Sequence, residues 1–276
     1  MNSQRLLKEH LGPHFLRVNS RDNTFQRLEV LKRNRKARAK YSLCLVESVA
    51  AIKAAHRFKW EFQSLCFPYE RDLSDWALGM LKECSAERIG LSNTLMNELS
   101  DKQDGSELIA VVKTKEDVLS RISVKEDSVV VVLDRPTSPG NLGSTIRSAD
   151  AFSASGVIVV GHAADIYDPV AIRSSVGALF STSVVRTGSP DEVLTWLRSH
   201  TQDVTILGTS AQGRTPAHAR KFKKPLALIF GNETYGMSKR FEEICDDLLC
   251  LPMNGVASSI NVSCAASIFL YLAHES

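Results

Sequence analysis

Short, wholly apolar runs alternate with helical patterns through the second half of the chain, and this alternation constrains the fold most strongly. From residue 128 onward, the runs SVVVVLD (128–134), GVIVVG (156–161) and LALIFG (226–231) are each followed by a stretch with helical periodicity. Strands that are apolar throughout are typical of parallel sheets covered on both sides. The sequence therefore predicts an α/β domain with a mostly parallel sheet and helices on both faces.

The first half of the chain has a different organisation. Strand-like runs such as YSLCLVES and IAVVKT are mixed with helical stretches such as SVAAIKAAHRF, which predicts a second, smaller α/β unit. Alternating charges after residue 112 predict a linker helix. The expected division is a basic extension over 1–40, a small α/β domain over 41–112, a linker over 113–127 and a larger α/β domain over 128–276.

The composition is that of a folded protein and excludes several classes of site. The chain is 43% hydrophobic and 24% charged, and its longest apolar runs are too short to span a bilayer. The N-terminus has no apolar signal core, so a cytoplasmic location is expected. The six cysteines form no CxxC pair and the seven histidines no HExxH motif, so we expect no metal site and no disulfide scaffold.

A basic segment, LEVLKRNRKARAK (28–40), interrupts an otherwise balanced charge distribution. Such a cluster neutralises phosphates and attracts nucleic acid. A solvated helix face carries the same residue types, so this pattern alone leaves both interpretations open.

Three polar, glycine-containing loops each follow a predicted strand and lead into a predicted helix: DRPTSPGNLGSTIR (134–147), GNETYGMS (231–238) and PMNGVASSIN (252–261). Ligands of parallel sheets bind beyond the carboxyl ends of the strands. The three loops are therefore predicted to form one binding site. None of them contains a Walker lysine or a correctly spaced GxGxxG motif, which disfavours nucleotide-phosphate and dinucleotide loops.

The first two loops offer side chains whose roles stay open at this point. Asn141 is a candidate helix cap, and the guanidinium of Arg147 can either reach back to the loop or pair with Asp150. Glu233 is either a functional carboxylate or a charge that complements a helix N-terminus.

The third loop is harder to explain as a capped helix alone. The final helix is expected to begin at Ser258, with Ser258 or Ser259 as its cap. Asn261 and Ser263 then fall inside the helix, where both residue types are mediocre helix formers.

Together the three loops resemble the three signature motifs of the SpoU/TrmH family, the RNA ribose 2′-O-methyltransferases of the SPOUT superfamily. NLGSTIRSADAF resembles the first motif, LIFGNETYGMS the second and LPMNGVASSINVSCAASI the third, in the family's order and spacing. The resemblance covers 128–273. It implies a C-terminal trefoil knot, S-adenosyl-L-methionine as cofactor, and a homodimer formed through the methyltransferase domain.

The resemblance also implies roles for individual residues. Catalytic roles fall on Asn141, Arg147, Glu233, Ser259 and Asn261. Cofactor binding falls on Gly231, Asn232, Gly236, Leu251, Pro252, Met253, Ser259 and Ile260. RNA contacts are implied at Arg147 and Arg173, and the basic segment adds Arg33, Arg35, Lys36 and Arg38 as candidate RNA contacts. The chain departs from the family at Ser153 and Thr234, where glycine is usual, and at Ile260, where leucine is common; none of these changes removes a proposed catalytic side chain.

The N-terminal runs CLVESVAAIKAA and LSNTLMNELSDKQDGSELIAVV resemble the ribosomal-protein-like substrate-binding domain often joined to this catalytic domain. This resemblance implies a 23S-type ribosomal RNA substrate. The alternatives are a tRNA 2′-O-methyltransferase and a non-catalytic RNA- or ribosome-binding protein on the same scaffold.

Overall fold

The computed structural model of the protein describes residues 15–102 and 105–276, and the chain divides into two compact units. The first unit comprises the described residues up to Lys115 together with Tyr167–Arg173, and the second comprises Glu116–Ile166 and Ser174–Ser276. No helix of the described part is long and apolar enough to cross a membrane.

The first unit contains a mixed five-stranded sheet in the order β1-β4-β3-β5-β2. β1, β4 and β3 are parallel to one another, whereas β5 runs antiparallel to β3 and to β2. The strands are Leu16–Val18 (β1), Leu43–Val46 (β2), Phe62–Pro68 (β3), Glu87–Leu91 (β4) and Ile109–Lys113 (β5). The helices are Asn23–Arg33 (α1), Arg35–Tyr41 (α2), Val49–Arg57 (α3), Asp75–Glu83 (α4) and Asn93–Leu99 (α5).

Helix α1 supplies part of the core of this unit. Its N-cap Asp22 accepts a hydrogen bond from the backbone N–H of Phe25, which fixes where the helix begins. Phe25, Leu28 and Leu31 are spaced three residues apart, so they share one face and are buried against the sheet. The basic residues after Leu31 therefore follow a helical face that is packed in the core of the unit.

The second unit contains a seven-stranded sheet in the order β10-β12-β9-β11-β6-β7-β8, and every pair of neighbours in it is parallel. This confirms the predicted parallel sheet. The strands are Val129–Asp134 (β6), Gly156–Val160 (β7), Val184–Thr187 (β8), Thr205–Thr209 (β9), Thr215–Pro216 (β10), Leu226–Phe230 (β11) and Asp247–Cys250 (β12). The helices are Pro139–Ala151 (α6), Pro169–Ser174 (α7), Ala178–Ser181 (α8), Pro190–His200 (α9), Lys239–Ile244 (α10) and Val262–His274 (α11), with α7 mostly in the segment that clusters with the first unit.

Helices cover both faces of this sheet. Alternate strand residues such as Val130 and Ile229 pack in one buried cluster with Val193 of α9 and Phe241 of α10. The intervening residues face the other way, where the ring of Phe230 meets that of Phe269 in α11 at 5.9 Å. Successive side chains of a strand point to opposite faces of the sheet, so each apolar run packs against a helix layer on both faces.

The prediction of a linker helix after residue 112 is wrong. The segment after residue 113 forms only a single 3₁₀ turn, Leu119–Arg121, within an otherwise extended path. Tertiary contacts hold it extended: Arg121 donates to the carbonyl of Val184 at 3.1 Å, and Arg186 forms an ion pair with Asp117 at 2.6 Å. Ile122 is buried against the sheet core. This burial and the contacts with residues of β8 therefore outweigh the helical tendency of the charge pattern.

Candidate active site

The first two loops leave the sheet side by side. β6 and β11 are neighbours, and Leu133 is paired with Phe230 at their carboxyl ends. Parallel strands deliver their following loops to the same edge, which brings Asn141 in the first loop and Glu233 in the second within reach of one another.

Glu233 is the centre of the hydrogen-bonding network at this edge. One carboxylate oxygen accepts from the backbone N–H and the hydroxyl of Thr137, each at 3.0 Å. The other accepts from the backbone N–H of Ser138 at 3.2 Å and from Nδ2 of Asn141 at 3.1 Å. The carboxylate therefore complements the N-terminus of α6, which follows the first loop, and not the helix that follows its own loop.

These contacts set the charge state of Glu233. Partial burial raises the pKa of the carboxyl group, but the hydrogen bonds from Thr137 and Asn141 outweigh burial, and the net pKa lies below its usual value. Glu233 is therefore ionised at neutral pH, and four donors already occupy its oxygens. Such a carboxylate is a weak proton acceptor and a strong anchor.

Asn141, a candidate helix cap by its residue type, does not cap α6. Ser138 caps α6 and accepts from the backbone N–H of Asn141 at 3.3 Å, with Pro139 in the first turn. Proline suits the start of a helix because its missing N–H would have no partner there. The side chain of Asn141 is thereby released to donate to Glu233 and to accept from Asn261.

The start of the final helix also differs from the prediction. α11 begins at Val262, and its cap is Asn261, not Ser258 or Ser259. Oδ1 of Asn261 accepts from the backbone N–H and the hydroxyl of Ser263 at 2.8 and 2.7 Å. Nδ2 donates to Oδ1 of Asn141 at 2.9 Å. Asparagine caps helices well, and here the same amide also reaches across to the first loop.

A continuous chain of hydrogen bonds thus joins the three loops, from Ser263 through Asn261 and Asn141 to Glu233 and Thr137. Three of the five residues expected to be catalytic, Asn141, Glu233 and Asn261, belong to it. Ser259 is exposed in the third loop and makes no hydrogen bond with the described residues.

Arg147 lies outside this chain of hydrogen bonds. It is exposed on α6, six residues after Asn141, and therefore projects from a different side of the helix. Among residues 15–102 and 105–276 it has no hydrogen bond or ion pair. The Asp150 carboxylate that was a possible partner accepts instead from Ser181 at 2.6 Å and from Thr182 at 3.4 Å.

The second loop is shaped by its own backbone. Asn232 is buried: its Nδ2 donates to the carbonyl of Arg135 at 2.7 Å, and its Oδ1 accepts from the N–H groups of Thr234 and Tyr235. The backbones of Asn232 and Gly236 exchange two hydrogen bonds, and Gly236 has a φ of +70°. Asn232 therefore builds the loop with its side chain.

Gly231 is required where the chain folds back on itself. A Cβ atom at this position would lie 2.3 Å from the backbone nitrogen of Met237. No side chain fits there, so the turn brings backbone groups of 231 and 237 into direct contact.

Sequence reasoning missed Asp134, which ties the first loop to the second. Its buried carboxylate accepts from the backbone N–H of Ser238 at 2.7 Å and pairs with Arg135 at 2.9 Å. The sequence does contain a signal for this role: a charged residue ends an apolar strand and is followed by another polar residue.

Residues 251–260, which precede Asn261, are mostly exposed. They make no hydrogen bond with any described residue, so the backbone groups of Leu251, Pro252, Met253 and Ile260 are unused. Beside the network lies a cleft of about 220 Å³, lined by Leu133, Pro136, Asn141, Leu142, Thr145, Phe230, Gly231, Glu233 and Val262. No group of three or more metal-binding side chains occurs among the described residues.

The residues expected to contact RNA in the first unit have different environments. Arg33, Arg35 and Lys36 are exposed. Arg38 is 4% exposed, and its guanidinium donates to the carbonyls of Leu31 and Lys32, each at 2.9 Å. Arg38 therefore supports the turn between α1 and α2.

Arg173, the remaining residue of that set, is half exposed and pairs with Asp101 at 3.2 Å. An exposed ion pair of this kind contributes little to stability and is easily exchanged for another anion.

Comparison with known proteins identifies relatives over nearly the whole chain. The model of the SpoU rRNA Methylase family matches residues 128–271, and that of the SpoU L30e-like domain matches residues 22–110. A 23S rRNA (uridine(2479)-2′-O)-methyltransferase of Streptomyces viridochromogenes is 42% identical, over 94% of this chain and 92% of the relative. The 23S rRNA (guanosine-2′-O-)-methyltransferase RlmB of Haemophilus influenzae is 30% identical, over 70% of this chain and 81% of its own length.

The solved structures agree with the sequence relatives. The SpoU methyltransferase AviRb from Streptomyces viridochromogenes, in complex with the cofactor AdoMet, superposes with a TM-score of 0.88 at 41% identity and covers 92% of this chain and 98% of its own. The three joined loops, the parallel sheet and these relatives lead to one assignment: the chain belongs to the SpoU rRNA Methylase family.

Proposed function

We propose that this protein is an S-adenosyl-L-methionine-dependent methyltransferase that methylates a ribose 2′-hydroxyl in ribosomal RNA, with a 23S-type RNA as substrate. The observation that carries the proposal is the Asn261–Asn141–Glu233 chain of hydrogen bonds, which joins the three family motifs at one edge of the sheet. The names of the relatives, two 23S rRNA 2′-O-methyltransferases, support the substrate class.

The residues at this edge fit S-adenosyl-L-methionine. The backbone groups of 251–260 have no partners among the described residues and are free to bind adenine and ribose. Gly231 lies where a Cβ atom would clash with the backbone of Met237, so it keeps the second loop tightly closed beside the cleft. We assign the cofactor to Gly231, Leu251, Met253 and Ile260, with Asn232 and Gly236 shaping the loop.

The cofactor supplies an activated methyl group on a sulfonium, so the protein has to align the 2′-hydroxyl for in-line attack. Arg147 carries a permanent charge and has no partner among the described residues, which suits it to hold the phosphate next to the reacting ribose. It also stabilises negative charge that develops on the hydroxyl oxygen.

Glu233 has a positioning role in this scheme. Its oxygens are saturated by donors and its pKa is below the usual value, so it fixes Asn141 and the start of α6 and does not take the proton. The hydroxyl oxygen forms its bond to the methyl carbon as the methyl–sulfur bond breaks, and the proton is released to water.

The test is methyl transfer from labelled S-adenosyl-L-methionine to unmodified ribosomal RNA and, in parallel, to transfer RNA. Arg147→Ala is expected to lower kcat by about 100-fold or more, with unchanged thermal stability because the side chain has no partner in the described structure. Label in transfer RNA alone would favour the tRNA alternative. Cofactor-independent RNA binding without any transfer would favour the non-catalytic alternative.

We also propose a homodimer formed through the methyltransferase domain. Cys264, Ile268 and Tyr271 recur along one exposed face of α11, and the last two are 41% and 51% exposed. Exposed apolar stripes on helices are typical of subunit interfaces. Ile268→Glu is expected to shift the sedimentation coefficient to that of a monomer, whereas an unchanged coefficient would exclude this face.

A trefoil knot is the finer topology that we propose for the C-terminal segment. In its support, β12 lies two strands from β11, yet the chain returns after it so that Phe269 of α11 packs on Phe230 at the end of β11. In the proposed knot, this returning segment passes through the loop at 231–238.

A further inference from the structure

One end of the sheet in the first unit brings two separate segments together. Leu43, the first residue of β2, is paired with Lys113, the last of β5. On the other side of β5, the carbonyl of Glu61 accepts from the N–H of Lys113 at 2.9 Å. The residues that precede β2 and β3 therefore lie at the same end of the sheet, one strand apart, which is about 10 Å.

Each of these segments presents an exposed aromatic ring. Tyr41, at the end of α2 and two residues before β2, is 42% exposed, and Phe58, after α3 and four residues before β3, is 45% exposed. Arg27 and Lys40 lie over the ring of Tyr41 at 5.2 and 5.4 Å, and Arg57 lies over that of Phe58 at 5.6 Å. Neither ring is buried in the core, and each leaves more than two fifths of its surface open to a ligand.

The same end of the sheet is strongly basic. Its exposed cations are Arg27, Lys40, Arg57, Lys59, Lys113 and Lys115. Glu61 lies among them and is paired with Lys113 at 2.5 Å. We call Tyr41, Phe58 and these six cations the aromatic–basic surface.

We propose that the aromatic–basic surface binds an unpaired segment of RNA, with bases stacked on Tyr41 and Phe58 and phosphates held by the surrounding cations. Aromatic rings interleaved with Lys and Arg suit single-stranded nucleic acid, because every base offers a face for stacking and each phosphate a negative charge. An apolar protein face seated here would have to desolvate these cations without pairing them, which is unfavourable. The inference rests on the proposed function, since it assigns part of the RNA substrate to residues remote in sequence from the three motifs.

Binding of fluorescein-labelled oligoribonucleotides of about 12 nucleotides to the full chain tests the proposal directly. The informative pair of variants is Tyr41→Ala with Phe58→Ala, against Tyr41→Phe with Phe58→Tyr as the matched control that keeps both rings. We expect the alanine pair to raise the Kd for unpaired RNA at least tenfold and to leave the Kd for a duplex of the same sequence nearly unchanged. The ring-retaining pair is expected to bind both like the wild type.

The cations have their own readout. Arg57→Ala with Lys59→Ala is expected to reduce the slope of log K against log salt by about 0.7 for each phosphate that the variant no longer neutralises. Lys102→Ala, which removes a positive charge beyond the opposite ends of β2 and β3, is the control for net charge and is expected to leave that slope unchanged.

An unchanged Kd for unpaired RNA in the alanine pair would overturn the proposal, and so would an equally weakened affinity in the ring-retaining pair. A changed sedimentation coefficient of the alanine pair, without any change in its RNA affinity, would also overturn it and would indicate a protein partner. Failure of the proposed function is distinguishable from these. If the alanine pair transfers methyl groups with the same KM for RNA as the wild type, the proposed function holds and the RNA-binding surface is refuted. If RNA binding depends on the two rings but no methyl group is transferred, the surface holds and the proposed function is refuted.

Discussion

Replacement of Glu233 by glutamine tests the network that joins the three loops. One oxygen of the carboxylate accepts two bonds from Thr137, and the other accepts from Ser138 and Asn141. Glutamine keeps the shape but turns one acceptor into a donor. In the least costly orientation its NH₂ faces Thr137, whose hydroxyl can rotate to accept, so that the backbone N–H of Thr137 loses its partner outright.

The magnitude follows from these hydrogen bonds. Hydrogen bonds to a charged group contribute about 1.5–3 kcal/mol each when buried, and Glu233→Gln also weakens the remaining bonds by removing the charge. Solvent reaches the site, so water compensates part of the loss. We expect the free energy of unfolding to fall by about 1–2 kcal/mol at neutral pH, and kcat to fall because Asn141 is no longer held.

The pH dependence has a definite sign. The folded-state pKa of Glu233 lies below the unfolded value of 4.5, so its ionised form stabilises the fold fully above pH 4.5 and this contribution is lost as the pH falls through the folded-state pKa. Glutamine does not titrate. The stability difference between wild type and variant is therefore expected to shrink below pH 4.5.

Urea unfolding of both proteins across this pH range is the assay, with Glu275→Gln, an exposed carboxylate at the end of α11, as the matched control. Equal stabilities of wild type and Glu233→Gln at neutral pH, or a difference that grows in acid, would refute the anchoring role.

Three further substitutions probe the backbone and the cleft. Ser153, where the family commonly has glycine, has a φ of +56°, so Ser153→Gly is expected to raise the free energy of unfolding by about 0.5–1 kcal/mol in urea titrations; a decrease would show that its conformation is unstrained. The hydroxyl of Thr145 is buried without a partner in the described structure, so Thr145→Val is expected to raise the Tm, and a lower Tm would reveal a hidden hydrogen bond. Gly231→Ala places a methyl group 2.3 Å from the backbone nitrogen of Met237, and calorimetric titration should show cofactor affinity reduced at least tenfold; normal affinity would separate this turn from the cofactor.

Strands that are apolar throughout could be predicted from the sequence, whereas short strands with charged ends could not. The run SVVVVLD identifies β6 because all of its residues are buried on a two-faced sheet. β4, by contrast, begins with the exposed Glu87 and the half-buried Arg88, so its five residues show neither alternation nor a continuous apolar run. Its partners in the sheet, β1 and β3, decide that it is a strand.

The sequence indicated which types of residue lie at the candidate site, but it did not indicate at which residue each helix begins. Ser138 and Asn141 are both good caps, as are Ser259 and Asn261, and local sequence does not choose between them. The long-range bond from Asn261 to Asn141 and the four bonds to Glu233 make the choice, and these depend on strand order. In the same way, the burial of Arg38 follows from the turn between α1 and α2, which a charge count over 28–40 does not reveal.

The most direct test of the account is the chemical position of the transferred methyl group. Ribosomal RNA labelled by the wild-type protein is hydrolysed in alkali, which cleaves only where a free 2′-hydroxyl is present. The account predicts label in alkali-resistant dinucleotides, and its loss when Arg147 is replaced by alanine. Label in mononucleotides would place the methyl group on a base and would contradict the assignment of this site to a ribose hydroxyl.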